Sequence, residues 1–449
     1  MTYEETLNFL YTSTPVFEQV GASAYKPGLG TSLALDAYYE HPHRQYLTIH
    51  VAGTNGKGSV SHTLAAILQA KGLNVGLYTS PHLVDFSERI RVNGQPISHD
   101  YVVDFVAQLP PLVAEKGASF FELTTAMAFR YFADCHVDVA VIEVGLGGRL
   151  DSTNIITPSL SVITNISMDH TNLLGNTLEA IAHEKAGIIK HGVPVVIGET
   201  TPETEAVFLE KAQQEQAPIF FAEEDNSSVD YDFELKGSYQ QRNLCTILTA
   251  VRHLPHSLQP TEQQLTYALQ HVCELTQLQG RWQTLSQQPR IICDTGHNLA
   301  AWEYLSRQLT AEIHESRDKE TYDLPIDNLQ FPSTSNVQRS SFNVLHLVFG
   351  MVDDKDIEAV LALLPKQARF YWTQAQTHRA IPAKRVQEMA AKQGLHGNAY
   401  PTVAQTFAAA RAAATPNDTI FIGGSSYVVA DLLKTLNVEG NCKLSIGKS

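Results

Sequence analysis

What this chain lacks narrows it first. It holds only five cysteines in 449 residues: Cys135, Cys245, Cys273, Cys293 and Cys442. They are odd in number, scattered and never spaced as Cys-x-x-Cys. That argues against a disulfide framework or a thiolate zinc site and fits a reducing compartment. Positive charge is also short, with 32 Lys plus Arg against 47 Asp plus Glu, a formal net charge of -15. Such a surface repels phosphate backbones, so nucleic acid is not an expected partner, although a local cationic pocket can still hold ATP. No run approaches the ~20 apolar residues that a membrane helix needs. The start, "MTYEETLNFLYTSTP", lacks a basic stretch followed by an apolar one, so no secretory leader is expected. The reading is a cytoplasmic protein without a membrane partner.

What is present is ordinary for a globular protein: 43% hydrophobic and 18% charged residues. The length exceeds what one core usually serves, so more than one domain is expected. Short apolar, β-branched runs recur between longer helical stretches: "YLTIHVAG" (46–53), "NVGLYTS" (74–80), "VDVAVIEVG" (137–145), "LSVITNIS" (160–167) and "VPVVIGE" (193–199). Runs this continuous read as parallel strands covered on both faces. "SVSHTLAAILQAKG" (59–72) reads as a helix with a Lys-Gly stop. The pattern restarts with "RIICDTG" (290–296), "NVLHLVFG" (343–350), "ARFYWTQ" (368–374) and "DTIFIGGS" (418–425). The expected fold class is therefore α/β: a P-loop-containing, doubly wound parallel-sheet domain over 1–286, followed by a smaller Rossmann-like α/β domain over 287–449. "LSQQP" (285–289) is the linker candidate, and the polar stretch 314–341 reads as an insertion.

The stretch that carries chemistry is "HVAGTNGKGSVSH" (50–62). It follows a predicted strand and opens a predicted helix, the context of a phosphate cradle. Helix N-terminal N–H groups lack partners, and glycines let backbone wrap phosphate oxygens. It departs from the common nucleotide loop: Val51 stands where the first glycine belongs, and Gly58 separates Lys57 from Ser59. Lys57 can reach the β and γ phosphates, and Ser59 can offer its hydroxyl to phosphate or Mg²⁺.

Other residues carry two readings each. Glu143 ends a buried strand, where a carboxylate needs a metal or an ion pair. His170 by itself reads as structural, Lys185 as a helical surface lysine, and Asn243 as a helix cap. Phe120 and Phe121, taken as strand neighbours, face opposite ways, so one offers a stacking face and the other packs in the core. Arg89 and Arg91 read equally as carboxylate-neutralising groups or as solvated loop charges.

"GTNGKGS" (53–59) resembles the ATP loop of the folylpolyglutamate synthase / dihydrofolate synthase family, in the Mur-ligase superfamily. The likeness continues in order through "YKPGLGTSLAL" (25–35), "TSPHLVDFSERIRVNGQPIS" (79–98), "FFELTTAMAF" (120–129), "EVGLGGRLDSTN" (143–154), "DHTNLLG" (169–175) and "EKAGIIK" (184–190). "GRWQ" (280–283), "DTGHN" (294–298), "GMVDDKD" (350–356) and "GGSSYVVADLL" (423–433) extend it. Leu299 stands where that family more often has proline.

The resemblance implies an amide ligase that activates a folate-type carboxylate as an acyl phosphate and joins it to L-glutamate. Its small-molecule partners are ATP, L-glutamate and either dihydropteroate or a reduced folate. It implies ATP contacts from Asn55, Gly56, Lys57, Gly58, Ser59, Asn243, Arg281 and Asp294. It implies Mg²⁺ at Ser80, Glu143 and His170, and allows a monovalent cation besides. Lys57, Lys185 and His170 take the catalytic roles, with Lys185 carbamylated. It places the acceptor near Lys26, Gly28, Pro81, Ser119, Phe120, Phe121, Glu122, Leu150 and Asp151, and it implies a monomer. A ligase with a cell-wall nucleotide-peptide acceptor and a nucleotide-controlled switch are the competing readings.

Overall fold

The computed structural model describes residues 1–14, 28–224, 231–322 and 344–438. Lys26 and 323–341 lie outside the described residues. The chain divides into two compact units, Met1–Gln279 and Gly280–Ser449, each described by itself below.

The first unit is built on eight strands: β1 (Leu47–Ala52), β2 (Val75–Tyr78), β3 (Ile90–Val92), β4 (Gln95–Pro96), β5 (Val139–Glu143), β6 (Leu160–Ile163), β7 (Val195–Ile197) and β8 (Ile219–Phe221). Their order across the sheet is β4-β3-β2-β5-β1-β6-β7-β8. β1 lies centrally and pairs in parallel with β5 and β6. The five strands read from the sequence are all present. What the reading left out is the antiparallel β2–β3–β4 edge. Its signal was available, because Asn93 and Gly94 both have positive φ and an Asn-Gly pair between extended runs marks a two-residue hairpin.

Side chains alternate across the sheet, so successive strand residues feed two cores. Val139 and Val141 join Ile49, Val51 and Val162 beneath the helix Lys57–Ala70. Ala140 and Ile142 join Phe129 and Phe132 of the helix Phe120–Asp134. Each fully buried Val, Leu or Ile contributes about 1.5–3 kcal/mol, so the strand ends that carry the site are held firmly. The helix Lys57–Ala70 is buried continuously from Ser59 to Leu68. It is covered on its outer side by the helices Gln240–Arg252 and Glu262–Gln270, whose Ile247, Ala250, Ala268 and Leu269 share its core.

The second unit carries six strands: β9 (Gln283–Gln287), β10 (Arg290–Cys293), β11 (Leu345–Phe349), β12 (Arg369–Trp372), β13 (Gly397–Ala399) and β14 (Thr419–Gly423). The order is β13-β12-β11-β14-β10-β9. All neighbours are parallel except β9, which runs antiparallel to β10. "LSQQP" is therefore not a linker. It supplies most of β9 and the turn into β10, and the chain divides earlier, at Gly280. Its polarity is that of an edge strand, where one side faces water and a proline beyond the ladder is tolerated. The first residues of the expected insertion continue the helix Leu299–Tyr322, in keeping with their Glu, Lys and Arg content. No described helix is long and apolar enough to cross a membrane.

Candidate active site

The carboxyl end of β1 runs through Gly53–Gly56 into the helix Lys57–Ala70. Two glycines are required there by contact. A Cβ on Gly53 would lie 1.8 Å from Thr164 Oγ1, and one on Gly56 would lie 2.4 Å from Asn243 Oδ1. Gly56 also caps the helix with φ 86°, a value that L side chains rarely adopt. The loop is tied to the segment after β6. Thr164 Oγ1 donates to the Asn55 carbonyl (2.5 Å), and the Asn55 amide donates to Asn165 Oδ1 (2.9 Å). Ser167 accepts from Asn55 Nδ2 at 3.3 Å. The segment "TNIS" (164–167) was read only as a strand end, yet it sets the loop's shape. Ser59 is fully buried at the first turn of the helix.

Two ammonium groups meet one carbonyl. Lys57 Nζ donates to the Gly53 and Thr54 carbonyls at 3.0 and 3.2 Å. Lys185 Nζ donates to the same Gly53 carbonyl at 2.9 Å. Lys185 lies in the last turn of the helix Leu178–Ala186 and is 4% exposed, so the surface-lysine reading is overturned. Packing of that helix against the loop, which the local sequence does not show, is the reason. Burial, and next the neighbouring Lys57 charge, bring the Lys185 ammonium down to about 7, while Asp169, Asp151 and Glu184 oppose the shift. The amine is therefore substantially neutral near pH 7.

Two of the three expected metal residues stand together. Glu143 ends β5, level with Val51 of β1, and is 4% exposed. The Ser80 amide donates to its Oε2 at 3.3 Å. Pro81 follows Ser80 through a cis peptide. His170 adopts a left-handed conformation at the start of the turn Thr171–Leu174, and its ring faces Asp169 at 3.9 Å. Among the described residues there is no group of three or more His, Cys, Asp or Glu placed to hold a metal. The donors on offer are mainly oxygen, from Glu143, Ser80 and Ser59, and they fit a hard cation that completes its shell with phosphate and water.

Of the residues assigned to the acceptor, Ser119, Phe120, Phe121 and Glu122 open the helix Phe120–Asp134, and Asp151 caps the turn Ser152–Ile155 that packs on it. The expectation of a strand at Phe120–Phe121 is corrected: Ser119 is a helix N-cap, closed by reciprocal hydrogen bonds with Glu122 at 2.7 and 3.2 Å. Ser-x-x-Glu before an apolar run was a readable capping box. Phe120 is in the core at 2% exposure. The Phe121 ring covers Gly145, where a Cβ would lie 2.4 Å from it. Leu150 is half-buried beside Asp151, and Gly28 precedes the helix Gly30–Tyr38 with φ 117°. A small pocket lies between the helices Gly30–Tyr38 and Phe120–Asp134 and the turn Ser152–Ile155, lined by Ser32, Asp36, Glu122, Thr125, Phe129 and Ser152 among others. Ser32 Oγ and Glu122 Oε1 face no hydrogen-bond partner among the described residues. Buried polar atoms left so are ready to meet a polar ligand or water.

Asp151 is fixed from behind. Its Oδ2 accepts from the Leu146 amide at 2.8 Å, and its Oδ1 accepts the Thr153 hydroxyl at 2.5 Å. The Thr153 oxygen in turn accepts from His50 Nε2 at 2.9 Å. His50 is fully buried in β1, and burial followed by the Lys190 charge brings it to about 3, so it is neutral. Arg89 and Arg91 are not solvated loop charges either. They are 1% and 5% exposed; Arg89 Nε donates to His82 Nδ1 at 2.8 Å and its guanidinium lies 5.0 Å over the Phe120 ring. Arg91 donates to the Glu88 carbonyl.

Asn243 is not a helix cap. It sits inside the first turn of the helix Gln240–Arg252, and its Nδ2 donates to Gln240 Oε1 at 2.8 Å. Gln240, which the sequence reading passed over, donates through Nε2 to Ser59 Oγ at 3.1 Å. In the second unit, Asp294 directly follows β10 and accepts from the Trp282 and Gly296 amides, both at 2.7 Å. Arg281 donates to Thr295 Oγ1 and to the Gly280 carbonyl. Asn298 caps the helix Leu299–Tyr322 through the Ala301 amide at 2.9 Å.

The family model described as the Mur ligase middle domain matches residues 51–257, and the one described as Mur ligase, glutamate ligase domain, matches 334–426. A dihydrofolate synthase/folylpolyglutamate synthase of Escherichia coli is 32% identical over 403 residues, covering 87% of this chain and 86% of that protein. Its namesake in Bacillus subtilis is 37% identical over 65% of this chain and 74% of that protein. A probable bifunctional folylpolyglutamate synthase/dihydropteroate synthase of Haloferax volcanii is 31% identical over 97% of this chain, which spans only 50% of that longer relative. Among solved structures, E. coli FolC in complex with DHPP and ADP aligns with a TM-score of 0.79 and 29% identity, over 98% of this chain and 99% of that one.

Proposed function

We infer the function from one premise: the chain belongs to the folylpolyglutamate synthase / dihydrofolate synthase family of Mur ligases. It joins the amino group of L-glutamate to dihydropteroate, to a reduced folylglutamate, or to both, with cleavage of ATP. A carboxylate resists attack by an amine because it is anionic and has no leaving group. Transfer of the γ-phosphoryl group gives an acyl phosphate; the amine attacks that carbonyl, inorganic phosphate leaves, and the amine loses a proton. The observation that carries the reading is the Gly53 carbonyl shared by Lys57 and Lys185 inside a glycine turn that caps a buried helix. Two anions must approach in the first step, and a cationic turn is what makes that approach affordable.

Asn55, Gly56, Lys57, Gly58 and Ser59 hold the phosphates of ATP and Asn243 adds a contact from the same unit; Arg281 and Asp294 are the nucleotide-contact candidates of the second unit. Glu143, Ser80 and His170 hold Mg²⁺, and a monovalent cation is the further candidate for the same oxygen-rich region. The bound cation supplies charge neutralisation at the phosphates. The neutral amine of Lys185 adds CO₂ and releases a proton to become a carbamate, so that a nitrogen is replaced by an anionic oxygen donor beside the Gly53 turn. Gly28, Pro81, Ser119, Phe120, Phe121, Glu122, Leu150 and Asp151 are the residues that meet the acceptor; Phe120 does so through the core behind it. The protein works as a monomer in the cytoplasm; the four free cysteines among the described residues are in keeping with a reducing compartment. The test is a product mass spectrum after incubation with dihydropteroate or tetrahydrofolate, ATP and L-glutamate. Addition of one or more glutamyl units is expected. No glutamylated product from either acceptor would overturn the reading.

A further inference from the structure

We propose that Gln240 is a positioning residue for the Ser59 hydroxyl, and that through it the side of the loop facing Asn243 sets how the loop holds a metal-bound phosphate. The proposal rests on the ATP site proposed above.

Gln240 is 0% exposed, as is Ser59, and Asn243 is 5% exposed. The three side chains form one line of hydrogen bonds: Asn243 Nδ2 to Gln240 Oε1 at 2.8 Å, then Gln240 Nε2 to Ser59 Oγ at 3.1 Å. The first bond decides the second. An amide has one accepting end and one donating end, so an N–H arriving from Asn243 turns the Gln240 carbonyl toward Asn243 and its NH₂ toward Ser59. Asn243 Oδ1 in turn faces the Cα of Gly56, the residue that caps the same helix. The whole line is buried and lies against the turn.

A serine hydroxyl has one proton and two lone pairs. Gln240 occupies one lone pair. The other lone pair and the proton remain, which is the combination needed to touch a hard cation and a phosphate oxygen together. Without Gln240 the hydroxyl rotates freely among its staggered positions and the buried oxygen loses a donor. Gln240 itself is enclosed, so its effect passes through Ser59. Gln240 thus belongs to the supporting layer of the site, where loss of one hydrogen bond costs about 10- to 100-fold in metal affinity.

The test is calorimetric titration of ADP with and without MgCl₂, on the full chain. In the unaltered protein Mg²⁺ is expected to tighten ADP binding. Gln240→Glu keeps the shape and still accepts from Asn243, but its ionised carboxylate has no proton for Ser59. It is expected to lose about tenfold of that Mg²⁺-dependent gain, with metal-free ADP affinity unchanged. Ser59→Ala loses the same increment, and the double variant loses no more than either alone. Gln240→Met, which keeps the volume and removes both bonds, gives the same pattern and decides the matter if Gln240→Glu does not fold. A full Mg²⁺-dependent gain in the Gln240 variants overturns the proposal. So does equal loss of metal-free and metal-dependent affinity, which is the mark of a merely structural glutamine, or multiplied losses in the double variant. If the unaltered protein binds no ADP at all, the ATP site falls and the proposal falls with it; binding by the unaltered protein with unaffected Gln240 variants removes the glutamine alone.

Discussion

The rims of the two sheets use one construction for opposite charges. At the end of β1, a strand-to-helix turn carries Lys57, and Lys185 of the helix Leu178–Ala186 reaches the same backbone carbonyl, that of Gly53. At the end of β10, a strand-to-helix turn carries Asp294, whose two oxygens take the backbone amides of Trp282 and Gly296. In the first rim burial, and next the neighbouring like charge, pushes one of the two amines toward neutrality. In the second rim the charge satisfies the backbone and closes the turn. The difference teaches that position at a strand's carboxyl end does not settle a residue's role. What decides it is how much of the charge the surrounding backbone takes up and how much stays available for a ligand.

Lys57→Ala breaks the first rim most severely. It is expected to lower turnover about a hundredfold or more, since it removes charge aimed at the transferring phosphoryl group. The melting temperature should barely move, because Lys57 leans on carbonyls that can turn to water. Full turnover in steady-state phosphate release would show that the crowded cations are not catalytic. Asp294→Ala makes the opposite prediction: loss of about 2–4 kcal/mol in urea unfolding of the second unit, from two amides left without their acceptor. A variant with undiminished stability but no nucleotide binding would make Asp294 a ligand group first and a turn group second.

Thr153→Val sharpens the comparison at the acceptor side. It cuts the line from His50 to Asp151 and should raise the acceptor KM about tenfold, the value of one buried hydrogen bond to a charged group. The KM for ATP should stay where it is. An equal rise in both would assign Thr153 to general stability. The smallest effect concerns Lys185. Only a free amine adds CO₂, so in bicarbonate buffer the carbamate should appear as pH rises through about 7, far below the 10.5 of an ordinary lysine. Intact-mass measurement in the cold would register one CO₂, absent in Lys185→Arg. The same depressed ammonium means that folding stability falls as pH drops from 10.5 toward 7 and then levels off, because the unfolded chain takes the proton first. An adduct that appears only near pH 10 would show that Lys185 is not the buried amine it is drawn as.

Much of this was legible beforehand. The apolar runs gave the parallel strands because a strand covered on both faces needs no polar positions. The glycine turn was legible because few residues can accept the conformations and contacts at Gly53 and Gly56. Edge elements were harder. β9 was mistaken for a linker because an edge strand is partly wet, and its composition resembles a loop. Phe120–Phe121 was mistaken for a strand because two aromatic residues carry no period, although Ser119 and Glu122 beside them did mark a helix start. Gln240 gave no signal, since a glutamine on a helix is usually solvated.

By itself the sequence determined the alternation of strands and helices, the turn that joins β1 to its helix, and the family. These depend on local backbone chemistry and on periodic burial, which are written in consecutive residues. Only the tertiary structure decided that Lys185 is enclosed against Gly53, that Arg89 and Arg91 are buried, and that Gln240 reaches Ser59 across 181 positions. Such facts depend on which distant segments exclude water from each other, and for Lys185 and Gln240 no single stretch of chain contains both partners.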